Sequence, residues 1–239
     1  MTAQDATSAP LYLLPGLMCS EVVWSAQIEA LARFRPFAVH GYGDARSLVT
    51  MAERVLEDAP ARISLAGHSM GARVALEIVR LAPGRIERLA LLDTGVHPVA
   101  PGEREKRMAL FEIGSQNGME ALVDAWLPPM VHAERRNDAS FMRPLRDMCL
   151  RFSIAQFENQ MTALLERPDP RPVLDTIDCP TLVGVGSDDA WAPVEQHRAI
   201  AARIRGAELA VFEHAGHMAP YETPAQVTEA LRRWLQRTA

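Results

Sequence analysis

A serine lies at the centre of the motif Gly67-His68-Ser69-Met70-Gly71. The short run 62–66 before it is half β-branched or apolar and predicts a buried strand, whereas residues 72–79 after it have apolar side chains at helical spacing. A serine in the pattern G-x-S-x-G at a strand-to-helix turn is typical of a nucleophile elbow, which exposes the hydroxyl at its apex. The pattern alone also fits an ordinary glycine-rich turn, so the prediction needs a histidine and an acid elsewhere in the chain.

An acid and a histidine follow the serine. The predicted strand 181–185 leads into a segment with Asp188 and Asp189, and the predicted strand 209–212 leads into a segment with His214 and His217. Because the carboxyl ends of parallel strands meet at one edge of a sheet, we expect these side chains to gather near the serine. The spacing of His214 and His217 also suggests a metal pair, but no third ligand is near in sequence, and no metal is expected.

Taken together, these motifs resemble the α/β-hydrolase fold superfamily, close to its small esterase and lactonase-like members, over residues 11–234. The order serine, acid, histidine is the order of that family. The resemblance of Gly186-x-x-Asp189-x-x-x-Pro193 to the family's acid loop favours Asp189 over Asp188, and the pair Gly216-His217 favours His217 over His214. Asp93, which ends the strand after the elbow helix, is the alternative acid, because some members take their acid from that position.

The segment Leu11–Met18 resembles the family's oxyanion-hole loop, with Pro15-Gly16 where the family often has His-Gly. The resemblance implies that the backbone N–H groups of Leu17 and Met70 stabilise an oxyanion. Ser69 is then the nucleophile, His217 the general base and Asp189 the group that orients the histidine. This chemistry needs no metal and no organic cofactor, so none is expected.

Strand and helix patterns alternate along the chain, which predicts an α/β fold. We expect a mostly parallel sheet of about six strands with helices on both faces, formed by residues 11–97 and 176–239. Residues 98–175 break the alternation, are mostly helical in pattern and have predicted stops at Pro128-Pro129, Pro144 and Pro168-Asp169-Pro170. They are expected to form a helical cap inserted above the site, and residues 1–10 a disordered tail.

The predicted cap is rich in methionine and aromatic residues, which suit an adaptable apolar pocket. The candidate pocket residues are Trp24, Trp126, Trp191 and Met218. For any single residue, plain packing of the cap helices onto the core is the alternative interpretation. Trp24 in particular either reaches the pocket or anchors the first helix.

Composition limits the classes of function. The chain has 239 residues, 48% of them apolar and 23% charged, with a formal net charge of −5, which fits one globular domain without a basic surface for nucleic acid or anionic membranes. The three cysteines, Cys19, Cys149 and Cys179, are far apart in sequence and include no C-x-x-C motif. That pattern suits a reducing compartment, and with no signal-peptide pattern at the N-terminus it predicts a cytoplasmic protein of unknown oligomeric state.

The sequence thus predicts a serine hydrolase that cleaves an ester, lactone or thioester of a small to medium apolar acid through an acyl-enzyme. Its expected partner is a small apolar ester-like molecule. An acyltransferase or perhydrolase with the same triad, a C–C bond hydrolase and a non-catalytic ligand-binding member of the fold are the alternatives, because one fold supports many functions.

Overall fold

The computed structural model describes residues 9–237. In this range the chain forms a single six-stranded sheet with the order β2-β1-β3-β4-β5-β6, and every neighbouring pair of strands is parallel. The predicted fold class is therefore confirmed. The strands are β1 (Leu11–Leu14), β2 (Phe37–Ala38), β3 (Ile63–His68), β4 (Ile86–Leu92), β5 (Thr181–Gly186) and β6 (Glu208–Phe212).

The helices lie between and beyond these strands. In the described residues they are α1 (Ser25–Ala30), α2 (Leu48–Asp58), α3 (Met70–Leu81), α4 (Glu103–Trp126), α5 (Ala139–Cys149), α6 (Ile154–Leu165), α7 (Arg171–Leu174), α8 (Val194–Arg203), α9 (Ala219–Glu222) and α10 (Pro224–Gln236). The first predicted helix, 21–33, is instead a short α1 between two 3₁₀ turns, Glu21–Trp24 and Ala32–Phe34.

The centre of the sheet is buried on both faces. Strands β1, β3 and β5 are buried along their whole length, and β3 pairs with β1 on one side and β4 on the other. Helices that cover both faces of a parallel sheet give such strands nearly continuous apolar sequences. The same burial holds the carboxyl end of β3 in place, and the chain turns from there into α3.

Helices α4 to α7 all fall between β4 and β5. α4 changes direction at Gly118, whose φ of 86° and ψ of 174° are not helical. Pro144 lies inside α5 and does not end it, contrary to the prediction. The helix continues past this proline because the next turn buries Leu145, Met148 and Cys149. The division of the chain into a core and a cap at residues 98 and 175 stays a prediction.

Residues 1–8 of the predicted disordered tail lie outside the described residues. The last two residues of that segment are ordered, contrary to the prediction, because Ala9 is buried and the Pro10 carbonyl accepts the N–H of Ser64 at 2.9 Å beside β1. Between residues 9 and 237, none of the helices has both the length and the apolar character needed to cross a membrane.

Candidate active site

The turn from β3 into α3 holds Ser69 in a conformation that few residues adopt, with φ of 55° and ψ of −115°. A Cβ at Gly67 would lie 2.5 Å from the backbone of Ala72, and a Cβ at Gly71 would overlap the backbone of Leu14. Both glycines are therefore required by close backbone approach. The turn is fixed from the neighbouring strand, since the N–H of Ser69 donates to the carbonyl of Leu92 at 2.8 Å.

Three of the predicted site residues meet at the carboxyl edge of the sheet. Ser69 Oγ lies 2.8 Å from His217 Nε2, and His217 Nδ1 lies 2.8 Å from Asp189 Oδ2. Because a carboxylate only accepts hydrogen bonds, Nδ1 carries the proton and Nε2 accepts the hydroxyl proton of Ser69. The three side chains thus form one hydrogen-bonded chain across three loops.

Asp189 is buried, with 3% of its surface exposed. Burial opposes its ionisation, but the charge and hydrogen bond of His217 together with the N–H groups of Ala192 and Trp191 hold the pKa of Asp189 below its ordinary value. Those two N–H groups donate to Oδ1 at 2.9 and 2.8 Å. The carboxylate is therefore ionised and fixed in direction before any ligand binds.

The alternative acids are placed differently. Asp188 is exposed, next to Ser187. Asp93 is fully buried and accepts the N–H of Gly186 at 2.9 Å, and within the described part of the chain it makes no hydrogen bond with His217. Burial raises the pKa of Asp93 well above its ordinary value, and the charge of Asp189 adds to the rise. Burial therefore favours the neutral form of Asp93, and its side chain holds the end of β5.

The loop around His217 is held by groups that the sequence did not reveal. Glu222 is buried and accepts the N–H groups of Gly216, Met218 and His132 at 2.9, 3.1 and 2.8 Å. One carboxylate thus holds the backbone on both sides of His217 and also the segment between α4 and α5. A single acid in the otherwise uncharged segment 218–223 was the available signal.

His68 supports the same loop from the side of β3. Its Nε2 lies 2.7 Å from the carbonyl of His217, and its ring is completely buried. Burial, with the nearby His217, lowers the pKa of His68 to about 3, so the ring is neutral and Nε2 donates. His68 therefore positions the loop instead of titrating near neutral pH.

The predicted oxyanion groups flank Ser69. Leu17 and Met70 both line the cavity beside the serine. Met70 is the first residue of α3, and helix geometry leaves the N–H groups of a first turn without helical acceptors. The loop after β1 approaches closely, since a Cβ at Gly16 would lie 3.1 Å from the Cβ of Ser69.

Two buried side chains hold this loop, and both were missed from the sequence. The hydroxyl of Tyr42 donates to the carbonyl of Pro15 at 3.0 Å. Gln160, on α6, accepts the N–H of Met18 through Oε1 at 2.8 Å. The second bond links the loop that carries Leu17 directly to the helical segment between β4 and β5.

A cavity of about 290 Å³ opens beside Ser69. Its apolar walls include Trp126, Met130, Phe157 and Met161 from the helical segment, together with Trp191 and Met218. Trp24 does not line the cavity, which corrects the prediction. Its ring is completely buried, with its centroid 6.4 Å from that of His68 in an edge-to-face contact.

The opposite end of the cavity is charged. It is lined by Arg73 from α3 and by Glu103, Lys106 and Arg107 from the first turns of α4. The sequence analysis singled out none of these residues, because nothing in their spacing shows that the start of α4 lines the same cavity as Arg73.

A possible metal-binding set lies outside the cavity. His132, Glu134 and His214 each offer one ligand atom, and these atoms lie within 4.8 Å of one another. The sequence did not reveal His132 as a partner of His214, because the two lie on different loops. None of the three lines the cavity beside Ser69.

Comparison with known proteins agrees with this fold. The profile of the Alpha/beta hydrolase family matches residues 11–230. A pimeloyl-[acyl-carrier protein] methyl ester esterase of Neisseria meningitidis is 26% identical over 203 residues, covering 81% of this chain and 78% of the relative.

Solved structures are similar over nearly the whole chain. A thermophilic esterase from Thermogutta terrifontis, solved with malate bound, has a TM-score of 0.84 and 29% identity, covering 96% of this chain and 90% of that one. An enol-lactonase from Burkholderia xenovorans LB400 has a TM-score of 0.84 and 24% identity, covering 98% and 94% of the two chains.

The protein belongs to the alpha/beta hydrolase family, as the resemblance of its motifs predicted. It is an enzyme of that family, and the esterases among its relatives support a carboxylic ester hydrolase.

Proposed function

We propose that this protein is a serine hydrolase of carboxylic esters or lactones, with Ser69 as nucleophile, His217 as general base and Asp189 as the orienting acid. The observation that carries the proposal is the continuous hydrogen-bonded chain from Ser69 through His217 to the ionised Asp189. A serine hydroxyl becomes a good nucleophile only when a base accepts its proton during attack, and this chain supplies that base.

In the proposed reaction, Ser69 Oγ attacks the acyl carbon while its proton moves to His217 Nε2. The negative charge that develops on the carbonyl oxygen is stabilised by the N–H groups of Leu17 and Met70. The tetrahedral intermediate collapses, the bond to the leaving oxygen breaks, and the alcohol takes the proton from Nε2. The acyl group remains on Ser69.

Water then completes the cycle. It loses a proton to Nε2 as it attacks the acyl carbon, and the second tetrahedral intermediate returns the proton to Ser69 Oγ as the acid is released. Asp189 stays ionised throughout and stabilises the imidazolium formed in each step. The residues named here supply every proton transfer in the cycle.

The cavity supports a small to medium acyl or alcohol group. Its volume of about 290 Å³ lies near the lower end of ordinary ligand pockets. The segment between β4 and β5 provides much of the apolar wall, including Trp126, Phe157 and Met161, so we propose that residues 98–175 act as a cap over the site. The cytoplasmic location stays a prediction from cysteine usage and the N-terminal sequence.

The test is a series of p-nitrophenyl esters from acetate to dodecanoate, assayed with the wild type and with Ser69→Ala. We expect the wild-type rate to peak at a short or medium chain and Ser69→Ala to lower kcat by roughly 10⁴- to 10⁶-fold, because the nucleophile is lost. A Ser69→Ala variant with a rate near the wild type would contradict the assignment of Ser69. Circular dichroism of the variant checks that the fold is retained.

A further inference from the structure

Arg73 stands out among the residues of the cavity. It lies on α3 one helical turn after Ser69, its side chain lines the cavity, and only 8% of its surface is exposed. Within the described residues it forms no ion pair, and its Nη1 has no hydrogen-bond partner. A buried charge without a partner is costly, so an anionic ligand that pairs with Arg73 would be stabilised there.

The surroundings of Arg73 are also positive. Lys106 and Arg107 line the same end of the cavity, and Glu103 is the ionised carboxylate among them. Glu103 already accepts hydrogen bonds from Arg107 at 3.0 Å and from Arg167 at 2.7 Å. Partial burial opposes its ionisation, but the bonds from Arg167, the N–H of Ala100 and Arg107 lower the pKa of Glu103 to about 2.

The remaining acid at the cavity cannot neutralise this end. Asp93 also lines the cavity, but burial raises its pKa well above the ordinary value and so disfavours its charged form. Burial and the nearby charge of Arg167 lower the pKa of Arg73 to about 9. An anion beside the guanidinium would relieve both effects.

We propose that Arg73, assisted by Lys106 and Arg107, binds a carboxylate of the substrate, so that the preferred substrate is an ester or lactone with a second, free carboxylate. The proposal rests on the hydrolase function proposed above and specifies its substrate class. A guanidinium matches the planar carboxylate with two parallel hydrogen bonds, which makes arginine the suitable residue for this task.

The geometry allows both groups of such a substrate to bind at once. Arg73 comes four residues after Ser69, a rise of about 6 Å along the helix, and its side chain lines the cavity. The apolar wall formed by Trp126, Phe157 and Met161 can contact methylene groups between the reacting carbonyl and the carboxylate. The cavity therefore suits a monoester of a short dicarboxylic acid better than a wholly apolar ester.

The first experiment compares kcat/KM for monomethyl glutarate, adipate and pimelate with kcat/KM for methyl alkanoates of equal chain length. We expect the wild type to prefer the monoesters, and Arg73→Met to lower the ratio of the two constants roughly 10- to 100-fold, the usual value of a charge-assisted hydrogen bond. Arg73→Lys should keep part of the preference, because it keeps the charge.

Arg143→Met is the matched control, because it removes an arginine from an exposed position on α5 and changes the net charge equally. Its ratio should equal that of the wild type. A wild type without preference for monoesters, or an Arg73→Met variant with an unchanged ratio, would overturn the proposal.

A second experiment needs no variant at position 73. Adipate should competitively inhibit wild-type hydrolysis of p-nitrophenyl butyrate, whereas the uncharged adipamide should inhibit at least tenfold less. Equal inhibition by the two compounds would show that the cavity does not select a carboxylate.

Failure of the proposed function would give a different pattern. If no ester is hydrolysed in a Ser69-dependent way, titration of the wild type with adipate and adipamide by calorimetry still tests Arg73. Selective binding of adipate would then support an anion site at Arg73, although the hydrolase assignment would be contradicted. If hydrolysis depends on Ser69 but shows no preference for a carboxylate, the hydrolase proposal is supported and the proposed substrate class is contradicted.

Discussion

The loops at the strand ends and the helices between β4 and β5 contribute to the cavity in different ways. Ser69 and Asp189 follow the buried strands β3 and β5, and His217 lies on the loop after β6; hydrogen bonds of the backbone fix all three loops. The helical segment instead meets these loops through a few side-chain and backbone links, of which Gln160 to Met18 and Glu222 to His132 are two.

Because of this difference, we expect the loops to determine the reaction rate and the helical segment to determine which substrate is preferred. The sheet fixes the distances among the reacting groups, since β3 and β5 are completely buried and cannot shift without disrupting the core. The helical segment supplies much of the apolar wall and the cationic residues Lys106 and Arg107. Substitutions on the loops should therefore change kcat for every ester, and substitutions on the helices should change which ester is preferred.

After the loss of the nucleophile in Ser69→Ala, the largest expected effect again concerns a loop residue. Asp189→Asn should lower kcat roughly 100- to 10,000-fold, because an amide no longer fixes the histidine tautomer or stabilises the imidazolium. Asp93→Asn should cost less than about tenfold, since burial disfavours the charged form of Asp93 and an asparagine oxygen still accepts the N–H of Gly186. Steady-state rates on one p-nitrophenyl ester measure both, and the reverse ranking would make Asp93 the orienting acid.

A smaller effect is expected where the two regions touch. Gln160→Met leaves the buried N–H of Met18 without an acceptor and loosens the loop that carries Leu17. We expect kcat to fall about tenfold for all esters, a fraction of the loss caused by deleting an oxyanion donor. Gln116→Met makes the same change at an exposed position of α4 and should leave kcat unchanged. If Gln160→Met changes only the preferred chain length, the link serves the cavity wall and not the oxyanion loop.

The smallest effect concerns stability in acid. Burial lowers the pKa of His68 to about 3 and that of His197 to about 4, from an ordinary value of 6.5. Below pH 6.5 the unfolded chain therefore binds protons that the folded chain excludes, so the free energy of unfolding should fall as pH drops from 6.5 towards 4. Each histidine contributes a slope of about 1.4 kcal/mol per pH unit in that window.

His197→Gln isolates one of these two contributions. His197 is completely buried and its Nε2 accepts the N–H of Thr94 at 2.8 Å, which a glutamine oxygen can also do. Urea unfolding between pH 4.5 and 7 should show a shallower slope for the variant, by about one proton. If the unfolding free energies of the wild type and the variant depend on pH with the same slope, His197 has the same pKa in the folded and unfolded states.

Much of the core could be predicted from the sequence. The predicted strands 62–66, 181–185 and 209–212 match β3, β5 and β6 to within two residues at each end, because the strands of a covered parallel sheet appear as short, largely apolar runs. The order of the motifs also indicated which loops meet, since parallel strands place their carboxyl ends at one edge.

The supporting groups could not be predicted in the same way. Gln160 and Met18 are 142 residues apart, and Glu222 and His132 are 90 residues apart. In the sequence, Arg73 occupies an ordinary polar position of an amphipathic helix. Only the structure shows that it lines the same cavity as the first turns of α4. Such pairings depend on how the helices pack, and no local sequence pattern indicates the packing.

The bend of α4 at Gly118 has a consequence for engineering. The half of α4 before the bend carries Glu103, Lys106 and Arg107, whereas the half after it carries Trp126. The two halves therefore line the cavity with different chemistry, and Gly118 is the natural junction for exchanging one half with that of a relative. We expect a swap of residues 103–117 to change the charge of the wall and a swap of residues 119–126 to change its apolar part at Trp126.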